Sequence, residues 1–380
     1  MDTNYIIENF SHNKGSHCES TTLRDLIVHE GIEITEEMVF GLDCTFGFTF
    51  FNNSQAQSTE ELFGREFPLF IGGKQGSVVN ESMVCRILGL NIGIETFTSP
   101  DVAWGTSKKW IRQNIPLGLQ VDMGFLSYFD WPEEMHFGGH YIILIGYDEV
   151  KSVAFIHDTE FNDVQVVLID DLKKARSSTF GERFLHPHNK HVHILKRSDG
   201  KYPPFARAVK LALQQVARQV VAPSTNYHGI PALRLFKESI PTWPKILEGA
   251  MKIPYSNRTV SRAMFTLEML YGLIEEMGTG GAIFRNLYSN YLKELLNHPE
   301  IREGTYAWKE EELFYLEDAM ESISESAVLW TKFSSHIKKA LEKGKEDCLQ
   351  VLNLTELTNF VSDIISLEDS GFRNLLQIKL

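Results

Sequence analysis

Near residue 200 the chain changes its hydrophobic period, and that change restricts the architecture more than any other feature. Upstream, "HYIILIGYD" (140–148) and "SVAFIHD" (152–158) are short β-rich runs bounded by Gly, Ser and Asp, and "DEVKS" (148–152) supplies a hairpin turn between them. A third run, "VQVVLIDDLKKA" (164–175), reads as a strand leading into a helix. Downstream of Tyr202, apolar residues recur at helical spacing in "FARAVKLALQQVARQVV", "SRAMFTLEMLYGLIEEM", "AIFRNLYSNYLKELL" and "EELFYLEDAMESISESAVLWTKFSSHIKKALEK". At the junction, Ser198, Asp199, Gly200, Pro203 and Pro204 concentrate breaker chemistry. A chain of 380 residues also exceeds the ~250 that one core usually supports. The expectation is an α+β domain over 1–198 followed by an all-α domain over 199–380.

A formal charge of −13 argues against sequence-independent nucleic-acid binding, which needs a basic face, and suits cationic small substrates such as amines. No run of ~18 apolar residues occurs, and Met1–Phe10 lacks the basic start and apolar stretch of a signal peptide, so a cytoplasmic protein without a membrane partner is expected. The four cysteines, Cys18, Cys44, Cys85 and Cys348, lie far apart with no C-x-x-C pair, which reads as free thiols. Three have the surroundings of small buried hydrophobes. Cys18 instead sits among small and polar residues in "SHNKGSHCES", just before the helical pattern "STTLRDLIVHEG".

A reactive cysteine gains from a helix start, where unpaired N–H groups and the dipole favour the thiolate. It also needs a base, distant in sequence but close in space, and a group that orients the base. His140 follows two glycines at the start of one expected strand, and Asp158 ends the next. Antiparallel pairing through the short turn would bring the two strands side by side. The alternative for each residue is structural: an inert thiol, a core histidine, a strand-end carboxylate.

On the stretches "HNKGSHCESTTLRDLIVHEGIEITEEMVFGLDCTFGF" and "HFGGHYIILIGYDEVKSVAFIHDTEF", the chain resembles the butirosin-biosynthesis H-type acyltransferase family. "HGIPALRLFKESIPTWP" and "GTGGAIFRNLYSNYL" are similar to the helical domain that accompanies this module, so the resemblance touches segments across nearly the whole chain. More distantly the arrangement resembles papain-like and bacteriocin-processing cysteine peptidases. The resemblance implies a papain-like cysteine-protease fold in the first domain and a helical domain that covers the substrate. It implies that an acyl group passes from a carrier-protein thioester to an amine or diamine, in the making of an antibiotic-type natural product. It assigns Cys18 as nucleophile, His140 as base and acid, and Asp158 as orienter. Papain-like peptidases carry an oxyanion-binding Gln about six residues before the Cys; His12 stands there with Asn13 beside it, either an oxyanion donor or an ordinary turn contact. Tyr141, Arg285 and Tyr288 are the candidate substrate-binding residues.

Further signals are weaker. His186, His188, His191 and His193 lie in "HPHNKHVHIL" without a carboxylate or Cys at ligand spacing, so no metal is expected. "MGTGGAIFRN" lacks the Lys-Ser/Thr of a phosphate loop and reads as a close-packed turn between helices. The basic groups Lys108, Lys109 and Arg112, or Lys173, Lys174 and Arg176, are candidate docking patches for an acidic acyl carrier protein, against the plainer reading of exposed helix charge. No cofactor of the protein's own is expected, the acyl donor being the carrier's phosphopantetheine. A homo-oligomer is compatible with the sequence. Two other functions share these residues: a cysteine peptidase or amidase, and a non-catalytic binding protein.

Overall fold

The computed structural model describes residues 3–55, 67–76, 82–132, 135–181, 183–196, 202–252, 258–344 and 348–380. Its elements begin with β1 (Asn4–Ile6), α1 (Cys18–His29), α2 (Glu36–Leu42), β2 (Phe46–Asn52), β3 (Leu69–Lys74), α3 (Met83–Ile87) and β4 (Leu90–Glu95). There follow α4 (Pro100–Ile111), β5 (Leu117–Val121), β6 (His140–Asp148), β7 (Val153–Asp158), β8 (Gln165–Leu168), α5 (Ile169–Ser177) and β9 (His191–Lys196). The remainder is α6 (Phe205–Val221), α7 (Gly229–Ser239), α8 (Trp243–Ile246), β10 (Ala250–Lys252), β11 (Thr259–Ser261), α9 (Arg262–Glu275), α10 (Arg285–Leu296), α11 (Pro299–Arg302), α12 (Glu310–Gly344), α13 (Cys348–Val351) and α14 (Leu354–Leu375). The class is α+β, with a sheet in the N-terminal region and helices in the C-terminal part. No helix among the described residues is long and apolar enough to cross a membrane.

The chain divides into two compact units, Met1–Val39 with Val78–Tyr202, and Phe40–Ser77 with Pro203–Leu380. The breaker residues Ser198, Asp199 and Gly200 lie outside the described residues. Segment 40–77, which the sequence pattern groups with the first domain, packs in the second unit. Its physical reason is aromatic: alternate residues of β2 place Phe46, Phe48 and Phe50 on one side, with Phe46 stacked on Tyr288, Phe48 stacked on Trp330 and Phe50 edge-on to Phe236.

The first unit is built on a seven-stranded antiparallel sheet in the order β4-β9-β5-β6-β7-β8, with β1 pairing along the second half of β6. All nine residues of β6 are buried. Strands flank it on both edges and helices cover both faces, so its apolar run is continuous instead of alternating. Val192 of β9 and Gly118 of β5 face α1, since a Cβ on Gly118 would meet Thr22 and Leu26. His193, the next residue of β9, points to the other face, where Trp110 of α4 stacks on it with ring centroids 4.0 Å apart.

In the second unit, α12 packs against α9, α10 and α14 and carries the buried Trp330 and Phe333. The glycine-containing turn before α10 is left-handed: Gly280 and Gly281 have φ of 67° and 80°, and Ala282, Ile283 and Phe284 follow at 49°, 47° and 71°. Non-glycine residues pay roughly 1–3 kcal/mol each for such backbone, so the surroundings must hold it. Arg285 does so from inside the core. Its guanidinium donates to both carboxylate oxygens of Glu368, each at 2.9 Å, and to the carbonyls of Ile283 and Gly47. Ser326 donates to the same carboxylate, and the Phe46 ring lies 4.7 Å from the guanidinium carbon.

Removing one partner of a fully buried ion pair strands the other charge, at a typical cost of ~3–5 kcal/mol. Glu368→Gln is therefore expected to lower unfolding stability by about 3 kcal/mol or more, read by urea denaturation. A loss below ~1 kcal/mol would mean that the pair does not hold the turn.

Candidate active site

Cys18 is the first residue of α1, where N–H groups have no partner within the helix. His17 before it has extended backbone (φ −130°, ψ 126°) and makes no side-chain cap. The missing anchor comes from α2. The buried Glu36 carboxylate accepts the backbone N–H of Ser16 at 2.8 Å, the N–H of His17 at 2.7 Å and the hydroxyl of Ser20 at 2.9 Å. Gly15 makes the approach feasible, because a Cβ there would lie 2.7 Å from a Glu36 oxygen. Glu36 thus sets the entry angle of the chain into α1, and with it the position of the thiol.

His140 opens β6 and Asp158 closes β7, and the register pairs Ile142 with Asp158. His140 is two residues from Ile142 and on the same side of the strand, so it lies diagonal to Asp158. The diagonal is bridged by a 2.7 Å bond from His140 Nε2 to Asp158 Oδ2. The Cys18 thiol stands near enough to the imidazole to favour its charged form through a hydrogen bond and its field. Tyr128 donates its hydroxyl to the same Asp158 oxygen at 2.7 Å, and the backbone N–H of Glu160 reaches Oδ1 at 3.3 Å.

The electrostatics follow from these contacts. Burial alone disfavours a charged His140, but the Asp158 charge and hydrogen bond outweigh it, with Cys18 adding in the same direction, and the imidazole is raised to about 10. Burial likewise works against a charged Asp158, yet His140, Tyr128 and the Glu160 N–H hold its carboxyl below the usual range. The arrangement at neutral pH is a carboxylate, an imidazolium and a sulfur beside it. Phe129 stands edge-on to His140 at 5.8 Å and Phe161 edge-on to Phe129 at 5.6 Å, so an apolar wall flanks the pair.

Cys18 is half-buried and packs with Tyr141, Val192, Ile92 and Ile94. The other three cysteines are buried; burial, with Asp43 adding, pushes the Cys44 thiol up to about 12. Tyr141 therefore shares a side-chain cluster with the sulfur, and its hydroxyl meets Gln120 Oε1 at 3.3 Å.

His12 has both ring nitrogens committed, Nδ1 to Asp25 at 2.6 Å and Nε2 to the Phe161 carbonyl at 2.8 Å. Both partners are acceptors, so every N–H the ring carries is spent on them. His157, stacked on it at 4.5 Å, is pushed down to about 4 by burial and then by the His12 charge. With no N–H to spare, His12 ties the segment before Cys18 to the turn after Asp158 instead of donating to an oxyanion. Asn13 is exposed, and its carbonyl accepts from the Arg24 guanidinium.

Arg285 and Tyr288 lie wholly inside the second unit's core, the first engaged with Glu368 and the second stacked on Phe46 at 4.3 Å. That burial, invisible to spacing, takes both out of the set that contacts substrate. Of the basic groups, Lys108 pairs with Glu149, Arg112 donates to the Tyr147 hydroxyl, Lys173 pairs with Asp101 and Lys174 with Asp171. Arg176 is buried, so it belongs to no surface patch. Sequence reading missed Glu36 and Tyr128, neither of which stands at any fixed interval from Cys18 or His140.

A family model described as "Butirosin biosynthesis protein H, N-terminal" matches residues 17–159, and one described as "Domain of unknown function (DUF4872)" matches residues 170–375. No curated protein matches the chain.

Variants at two positions test this geometry by iodoacetamide alkylation of Cys18. In Asp158→Asn, burial is left to disfavour the imidazolium, so the charge beside the sulfur is lost and alkylation at pH 7 is expected to slow ~10-fold or more, one pKa unit being worth ~1.4 kcal/mol. The deficit should shrink towards alkaline pH, where any thiol ionises; parallel profiles at all pH values would dissociate Asp158 from the thiol. Glu36→Ala, which frees the loop before α1, is expected to slow alkylation ~10-fold at pH 7, with Glu36→Gln intermediate. Wild-type rates in Glu36→Ala would remove Glu36 from the site.

Proposed function

The chain belongs to the family in which a butirosin biosynthesis protein H N-terminal domain is followed by the DUF4872 domain, and on that premise we propose that it forms amide bonds by acyl transfer. The donor is an acyl thioester carried by a carrier-protein phosphopantetheine, the acceptor a small amine or diamine, and the scaffold of the first unit is papain-like. One observation carries this reading: the imidazole that holds Asp158 on Nε2 has the thiol of a helix-opening cysteine within hydrogen-bond reach.

The chemistry runs in two halves. The Cys18 thiolate attacks the thioester carbonyl, and the tetrahedral oxyanion is held by N–H donors at the start of α1, that of Cys18 among them. Collapse breaks the carbon–sulfur bond to the carrier; the His140 imidazolium gives its proton to the departing thiol, leaving acyl-Cys18 and a neutral His140. The amine then attacks the acyl-Cys18 carbonyl while His140 takes a proton from its nitrogen. Expulsion of the Cys18 thiolate releases the amide and restores the imidazolium. Asp158 stays ionised throughout and orients the ring, a role that the Tyr128 hydroxyl reinforces. The Phe129 and Phe161 wall favours amine over water by keeping the acyl group out of bulk solvent.

The test is the product ratio. With an acyl phosphopantetheine thioester and a panel of amines and diamines, amide is expected to exceed free acid, to disappear in Cys18→Ala and to fall roughly 100-fold or more in His140→Gln. Free acid alone, whatever amine is present, would make the protein a hydrolase. No product, with Cys18 no more reactive than a free thiol, would make it a binding scaffold.

A further inference from the structure

We propose that Glu95, His191 and His193 form a binding site for one divalent d-block cation, Zn2+ being the best fit to the donor set, at the β4–β9 edge of the sheet. Their ligand atoms all lie within 4.8 Å of one another. Four-coordinate Zn2+ with bonds of about 2.0–2.1 Å sets its ligands about 3.3 Å apart, so small side-chain rotations complete the cluster.

The strands themselves aim these groups together. β4 and β9 pair antiparallel with Glu95 opposite His191 and Gly93 opposite His193. Directly opposed residues share a face, as do residues two apart along a strand, so all four positions lie on one side of the sheet. The fourth position supplies room. A Cβ on Gly93 would sit 2.2 Å from His193 Nε2, so the imidazole occupies space that only glycine leaves.

The unspent hydrogen-bonding capacity points to a ligand. His191 is fully buried, yet among the described residues neither ring nitrogen has a hydrogen-bond partner of ordinary length, the Glu95 carboxylate standing 3.5 Å from Nε2. His193 Nδ1 is buried without a partner among the described residues as well. Buried polar atoms left this way cost about 1–3 kcal/mol each, which ligation would recover. Phe97 packs on His191, and Trp110 on His193, fixing the ring planes.

Two imidazoles and one carboxylate suit Zn2+ and its d-block neighbours, whereas Ca2+ and Mg2+ take oxygen ligands. No member of the Cys18–His140–Asp158 group belongs to the cluster; the ion would tie β4 to β9 through three protein ligands, with water as the fourth.

The test uses the full chain stripped with a chelator. Calorimetric titration with Zn2+ is expected to show one equivalent bound, and Co2+ to give the visible absorption of a four-coordinate N/O site. Cys18→Ser should retain both. Glu95→Gln, at a partly exposed position and checked for intact fold by circular dichroism, should weaken Zn2+ binding at least ~10-fold. His191→Ala with His193→Ala should abolish it. No saturable binding, binding lost in Cys18→Ser, or an unchanged affinity in folded Glu95→Gln would each overturn the proposal.

Discussion

The register of β6 against β7 is the constraint on which the candidate site rests. Side chains alternate along a strand, so slipping that pairing by one residue would turn Asp158 to the face away from His140. The register is locked from several directions: β7 is paired on its far edge by β8, and β6 is paired along its length by β5 and then β1. Burial of all nine β6 residues makes any slip expensive, since side chains such as Ile142 and Leu144 each contribute ~2 kcal/mol by leaving water. The His140–Asp158 bond is therefore a product of sheet packing and not of local sequence.

The thiol is positioned by a separate device. Three buried polar residues of α1 fasten its start: Arg24 holds the carbonyls of Asn13 and Lys14, Asp25 holds His12, and Ser20, together with the Ser16 and His17 N–H groups, holds Glu36 of α2. The two devices meet at His12 and Gly15, which bond the carbonyls of Phe161 and Thr159 in the turn after Asp158. The segment that leads into Cys18 and the turn that follows Asp158 are thus bonded directly to each other.

Much of this was legible from the chain. Strand signals at 140–148 and 152–158 matched β6 and β7 because both runs are dense in β-branched residues and end at turn formers. The helix start at Cys18 was visible because apolar periodicity begins just after a polar, glycine-containing stretch. Segment 40–77 was not, since the aromatic packing of Phe46, Phe48 and Phe50 on residues of the second unit leaves no local mark. Arg285 beside a glycine-rich turn has the same composition whether it faces a ligand or Glu368. Glu36 and Glu95 were missed for one reason: each acts on residues of another element, brought near by tertiary packing, and a lone carboxylate in a chain with 50 acidic residues carries no signal of that.

Whether Cys18 carries the acyl group is read from intact mass after brief exposure to acyl phosphopantetheine thioesters without amine. The expected result is one added acyl mass on the wild-type chain, mapped to Cys18, absent in Cys18→Ala and discharged when an amine is added. Turnover without any adduct, or an adduct of equal yield on Cys18→Ala, would contradict the account.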